Sequence, residues 1–170
     1  MIEKFTLDIQ FKKFHKKMIL VKEDSELREH VVLKMLAYIL FYDPKLQIEV
    51  DVGMHYKPDL VVTGDRGEPL LWIDCGYVSI LKAQNVTKKM RRGRLIFLKT
   101  TEAELKQFKS LLQKKADDVQ GVEFLAFENG FVSGIAAALN RTNQVTLYPI
   151  SESAIGVALN DLVFESNLLH

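Results

Sequence analysis

Apolar and polar residues alternate from Phe5 to Phe11, with Phe5, Leu7, Ile9 and Phe11 on one side and Thr6, Asp8 and Gln10 on the other. A period of two predicts a half-buried strand. The basic stretch Lys12–Lys17 reads as a hairpin tip, and Met18–Val21 as the returning strand. Asp24 and Ser25 can then cap a helix running to about Tyr42, where Asp43-Pro44 stops it. This helix is apolar nearly all round, as a core helix is. Its polar stripe is narrow: Glu26, His30 and Lys34.

Leu46–Val52 is strand-like, and Leu60–Thr63 and Leu70–Asp74 are apolar runs joined by Gly64-Asp65-Arg66-Gly67, a turn by composition. A weaker helix is expected from Ser79 to about Met90, and a strand over Arg94–Thr100. Thr101-Glu102-Ala103-Glu104 has the pattern of a capping box and starts an amphipathic helix with Leu105, Phe108, Leu111 and Leu112 on one face. Val122–Phe127 lacks polar breaks, as a strand buried on both faces does. Phe131–Leu139 fits a short helix, while Val145–Tyr148 and Ala154–Val163 read as peripheral strands. The strand–helix–strand alternation from Leu70 to Phe127 predicts an α/β sheet with right-handed crossovers.

Composition places the chain among ordinary globular proteins. Its 170 residues fit one domain, and 48% apolar content is enough for a core without staples. The only cysteine, Cys75, excludes an internal disulfide framework and suits a reducing compartment. The first residues carry charge, and no apolar run approaches a membrane span, so a cytoplasmic protein without a membrane partner is expected.

Charge changes the picture more than composition does. The net value of +1 hides segregation: no acid falls between Asp74 and Glu102, while Lys82, Lys88, Lys89, Arg91, Arg92, Arg94 and Lys99 do. Lys12, Lys13, Lys16 and Lys17 form a second basic group. Two readings stand side by side, a polyanion-facing surface or two solvated faces.

Three acids stand out. If the turn centres on Arg66-Gly67, residues whose numbers sum to 133 are paired, and Asp59 lies opposite Asp74 on one face. Like charges there are unfavourable unless a cation stands between them. Glu29 points with Val32, Leu33, Leu36 and Leu40 on the apolar stripe of its helix, where an ionised group needs a partner or a metal. Hard oxygen ligands at a sheet edge suit Mg²⁺ or Mn²⁺, which activate water and stabilise charge on phosphate. The structural alternative has Asp59 capping a turn, Asp74 capping a helix and Glu29 paired with a base. Trp72 reads as core and Cys75 as a buried small hydrophobe. No histidine pair has zinc-ligand spacing.

Pro58-Asp59, fourteen intervening residues and Asp74-Cys75-Gly76 resemble the PD-(D/E)XK nuclease signature, with Glu29 on the preceding helix. More narrowly, Ser25–Glu29 running into Leu36-Ala37-Tyr38, then Pro58-Asp59-Leu60 and Leu71–Gly76, resemble the bacterial YaeQ family. The resemblance implies a restriction-endonuclease-like core, with a central mixed β-sheet flanked by helices on both faces and extra peripheral strands. It implies metal-dependent phosphodiester hydrolysis on DNA or RNA, with Asp59 and Asp74 as Mg²⁺ ligands and Glu29 as a further ligand or metal-water contact.

One departure matters: the lysine expected two residues after Asp74 is Gly76, a glycine typical of the family resembled. Lys82, or next Lys88, is the candidate to reach the same space. The alternative is a YaeQ-like protein without activity that binds nucleic acid or protein through the same surface. The nuclease reading expects Glu29, Asp59 and Asp74 to converge in one pocket, rimmed by the lysines, with Arg91, Arg92 and Arg94 further off.

Overall fold

The computed structural model describes all residues, 1–170. The opening alternation forms a hairpin of β1 (Glu3–Phe11) and β2 (Phe14–Lys22). Its tip is tighter than expected: Phe11 pairs with Phe14, and Lys12 takes the left-handed backbone of a tight turn, so Lys16 and Lys17 belong to the strand. Lys16 is drawn down onto Tyr38, whose hydroxyl accepts from it at 2.6 Å.

Helix α1 (Arg28–Leu40) starts later than Asp24 and Ser25 suggested, with Leu27 at its N-cap and no side-chain cap. The preceding turn is instead held by the Glu26 carboxylate, which accepts from the Glu23 N–H. Next, β3 is only Gln47–Ile48, against the expected Leu46–Val52. Strand β4 (Leu60–Thr63) pairs antiparallel with β5 (Pro69–Cys75), with Leu60 opposite Ile73 and Val61 opposite Trp72. That is the register the sequence implies, up to a bulge between Val62 and Thr63.

Helix α2 (Ile80–Lys89) and β6 (Arg94–Leu98) follow, then α3 (Glu102–Lys115) and β7 (Glu123–Phe127). Ser79 caps α2 and Thr101 caps α3 through their hydroxyls, the latter as the capping-box pattern implies. Strands β5, β6 and β7 run parallel. The short helix expected over Phe131–Leu139 is α4 (Phe131–Ala138). Strands β8 (Thr142–Ser151), β9 (Ala154–Leu159) and β10 (Leu162–Leu169) complete the chain. The run expected as one strand, Ala154–Val163, is thus broken by a turn in which Asn160 adopts positive φ.

All ten strands form one mixed sheet in the order β2-β1-β8-β9-β10-β7-β6-β5-β4-β3. This corrects the expectation that the last strands are peripheral: β8, β9 and β10 occupy the middle and join the N-terminal hairpin to the parallel segment. Short alternating strands signal antiparallel pairing but not which edge they join.

Alternation along β5 assigns the two faces. Leu71, Ile73 and Cys75 enter the larger core with α1 and α4, whereas Trp72 enters the smaller one with α2 and α3. The result is a mixed α/β fold with helices on both sheet faces. No helix is long and apolar enough to cross a membrane.

Candidate functional site

Asp59 precedes β4, and its N–H donates to the carbonyl of Ile73 at 3.1 Å, which continues the ladder to the end of β5. This brings Asp59 beside Asp74, as the register argument expects. The two carboxylates then engage different helices. Asp59 Oδ2 accepts the Cys75 N–H at 2.7 Å and meets His30 Nε2 at 3.2 Å. Asp74 Oδ1 accepts from Lys82 Nζ at 3.0 Å, and the same ammonium donates to the Lys57 carbonyl at 3.0 Å.

Asp74 is fully buried, and its second oxygen, Oδ2, has no hydrogen-bond partner. Desolvation raises its pKa; Lys82 opposes the rise, and the charge on Asp59 adds to it. The indole N–H of Trp72, on the same face and likewise outside strict hydrogen-bond geometry, acts on this carboxylate as a weak donor and also opposes the rise. For Asp59 burial acts in the same upward direction, but the His30 contact, the Cys75 N–H and Lys82 outweigh it and hold the carboxyl below its ordinary range.

The polar stripe of α1 turns inward. His30 Nδ1 lies 2.6 Å from Glu26 Oε1, and fully buried Lys34 bonds Glu26 at 2.9 Å and Glu49 at 3.0 Å. A chain of charges thus runs from Glu49 through Lys34, Glu26 and His30 to Asp59. Burial alone would lower the His30 pKa, yet Asp59 and Glu26 raise it.

The expected cluster of three acids is not formed. Asp59 and Asp74 are neighbours, but Glu29 is half-buried and takes part in none of the hydrogen bonds or ion pairs around them. No group of three or more histidine, cysteine or acidic side chains is arranged to hold a metal. The cause is helical phase: α1 turns His30 toward Asp59, and its neighbour Glu29 lies on the wall of an adjoining cavity. Lys88 stays exposed in the last turn of α2. Arg94 pairs with Glu123 at 2.6 Å beside Leu71, near the start of β5 and away from Asp74.

The cavity, of about 760 Å³, opens at the carboxyl ends of β5 and β6 and is walled by α1 on one side and α3 on the other. Cys75, Gly76, His30 and Lys99 line it; Asp59 and Asp74 do not, but Asp59 contacts the lining residues His30 and Cys75. Crevices outside the carboxyl ends of parallel strands are the usual ligand sites of α/β sheets.

Two functional candidates escaped the sequence reading. His30 lies on the polar stripe that the sequence shows; its signal is Glu26-His30-Lys34 at four-residue spacing on an otherwise apolar helix. Lys99 shows in the sequence only as one charge of the basic window. It is 4% exposed, donates to the Gly76 carbonyl and stands 3.8 Å over the Phe108 ring. Desolvation lowers its pKa to about 8 against the opposing charges of Glu104 and Asp74. Cys75 is buried and its thiol is pushed well up by desolvation and the nearby carboxylates, which leaves it unreactive.

Comparison with known proteins gives the architecture its relatives. The crystal structure of YaeQ protein from Pseudomonas syringae superposes with a TM-score of 0.78 at 19% identity, covering 98% of this chain and 93% of that one. The crystal structure of YaeQ protein from Xanthomonas axonopodis pv. citri gives 0.70 at 18% identity, covering 99% and 96%. At such identities these likenesses speak for the fold alone. No curated protein matches. The family model described as YaeQ protein matches residues 8–167, nearly the whole chain, and the protein belongs to the YaeQ family.

Proposed function

We propose that the protein is a metal-dependent phosphodiesterase of nuclease type, built on a PD-(D/E)XK, restriction-endonuclease-like core, in which Asp59 and Asp74 hold Mg²⁺ or Mn²⁺. The observation that supports this best is a pair of carboxylates opposite in register, one of them fully buried with an Oδ2 that meets no better donor than the loosely placed Trp72 indole. A buried, unsatisfied acceptor costs roughly 1–3 kcal/mol, and a cation would satisfy it. Asp59 spends only Oδ2 on its two protein contacts, so one oxygen of each carboxylate is available. Mg²⁺ fits such a donor set, since it keeps several waters and uses one or two carboxylates.

A bound ion would supply an activated water and neutralise charge on the phosphoryl oxygens. The protein's own residues do the rest. His30, backed by Glu26, and the Cys75 N–H fix the orientation of Asp59. Lys82 neutralises Asp74 and is the ammonium nearest a phosphodiester brought to the pair. Gly76 carries no side chain for the superfamily's usual role, and its φ of +71° disfavours one. Glu29 adds negative charge to the cavity wall.

The test is hydrolysis of labelled DNA and RNA oligonucleotides with Mg²⁺ or Mn²⁺. Wild type should cleave one of them, and Asp74→Asn should lose about a hundredfold or more. A second reading, a YaeQ protein that binds nucleic acid or protein without cleaving, draws support from Lys82 already standing on Asp74 and from the absence of a third ligand. Metal-independent inertness on both substrates would select it.

A further inference from the structure

Two features of the cavity are unused by the metal reading: a buried lysine on its wall and an apolar, aromatic mouth. Lys99 has no carboxylate partner; its ammonium meets only the Gly76 carbonyl and the Phe108 ring. Tyr77 directly follows Gly76 and is 93% exposed, so no packing role accounts for its ring. Leu27 before α1 and Leu111 on α3 flank the same opening and are 70% and 43% exposed. Leu111 was expected on the buried face of its helix; the cavity is what leaves it uncovered.

Resting on the phosphodiesterase reading, we infer that this cavity receives one unpaired nucleotide of a single strand, with its base on Tyr77 and its phosphate at Lys99. The cavity begins at Cys75 and Gly76, one residue beyond Asp74, so it takes the unit next to a phosphodiester held at the carboxylates. A base inside a duplex is stacked and paired and cannot enter a concave wall without being extruded. An unpaired base has both faces free for an aromatic side chain, and the interaction tolerates any base. The volume suits a small ligand unit, well inside the range of ordinary ligand sites. A protein segment would also cover apolar rim residues, but it gives no account of a buried ammonium that makes no direct ion pair, with Glu104 and Asp74 acting on it only at longer range.

The test is fluorescence anisotropy with a labelled twelve-nucleotide single strand and the same sequence as a duplex, in EDTA at low salt, so that binding is read without cleavage. The single strand should bind at least tenfold tighter than the duplex. Tyr77→Ala should weaken single-strand binding about tenfold, within the range for loss of one base stack, while Tyr77→Phe should retain it. Lys99→Met should reduce the salt slope by roughly one phosphate contact. Because Tyr77 is so exposed, its substitution leaves folding untouched and carries the test if Lys99→Met folds poorly. Equal affinity for duplex, or an unchanged affinity in Tyr77→Ala, overturns the inference and leaves metal-dependent hydrolysis untouched. No binding of either form, together with no hydrolysis, overturns both.

Discussion

Asp74 and His30 show how burial and partners set opposite signs. Asp74 is buried with one oxygen unsatisfied and its pKa raised, so its ionised form opposes folding as pH rises above the ordinary 3.8. Asp74→Asn should therefore stabilise the metal-free protein at neutral pH by about 1–2 kcal/mol, read as a Tm increase of roughly 2–8 °C. His30 behaves the other way. Its pKa is raised above 6.5, so its stabilising charge is complete below that value and lost as pH rises through the folded one. The partner Asp59, lowered from 3.8, contributes above its ordinary value and loses that contribution in acid. NMR titration of His30 should give a midpoint above 6.5, falling in Asp59→Asn; a midpoint unmoved by that substitution would break the proposed coupling. The sequence exposed Asp59 and Asp74 because their numbers sum to the hairpin register. It hid His30, since a polar stripe looks the same whether it faces solvent or a buried partner.

At the scale of elements, α1 and the end of β5 decide the site. Lys34 sits wholly inside, between Glu26 and Glu49. Lys34→Ala leaves two partly buried carboxylates facing each other and should cost about 2–4 kcal/mol in chemical denaturation. Lys34→Met keeps the apolar stem and should cost less, because the stem packs along the core. Gly76 is a backbone requirement rather than a space requirement. Its φ is +71°, and an added Cβ would meet only His30 and Leu33 atoms at 3.7 Å, ordinary contact. Gly76→Ala should thus cost about 1 kcal/mol from conformation alone. Ser79 marked only where α2 begins, whereas the cap of α3 was legible because Thr101 opens a capping box directly before apolar periodicity. The start of α1 was not: Asp24 and Ser25 have the right chemistry, but the Glu26–Glu23 contact holds that turn and moves the cap to Leu27.

The whole molecule is two five-stranded halves joined where β10 meets β7, through the ladder pairs Leu168–Phe127 and Leu169–Ala126 and the bonds of Glu128 to Ser166 and Asn167. The larger core nevertheless spans both halves, from Phe5 and Leu7 to Ile73 and Ile96, under α1 and α4. Unfolding should accordingly be one cooperative transition, with near- and far-ultraviolet circular dichroism coinciding; two separated transitions would show that the seam divides the fold. The parallel segment was legible from strand–helix alternation and the helices on both faces from the family resemblance, but the central place of β8, β9 and β10 was not. Long-range pairing between β1 and β8 leaves no local pattern. The central claim is that Asp59 and Asp74 together hold a divalent cation. Thermal unfolding of wild type, Asp59→Asn and Asp74→Asn with and without Mn²⁺ tests it most directly. At about a hundred times its dissociation constant, Mn²⁺ should stabilise wild type by about 2.7 kcal/mol, or roughly 5–10 °C, and leave Asp74→Asn unmoved. An unshifted wild type, or equal shifts in all three proteins, would contradict the account.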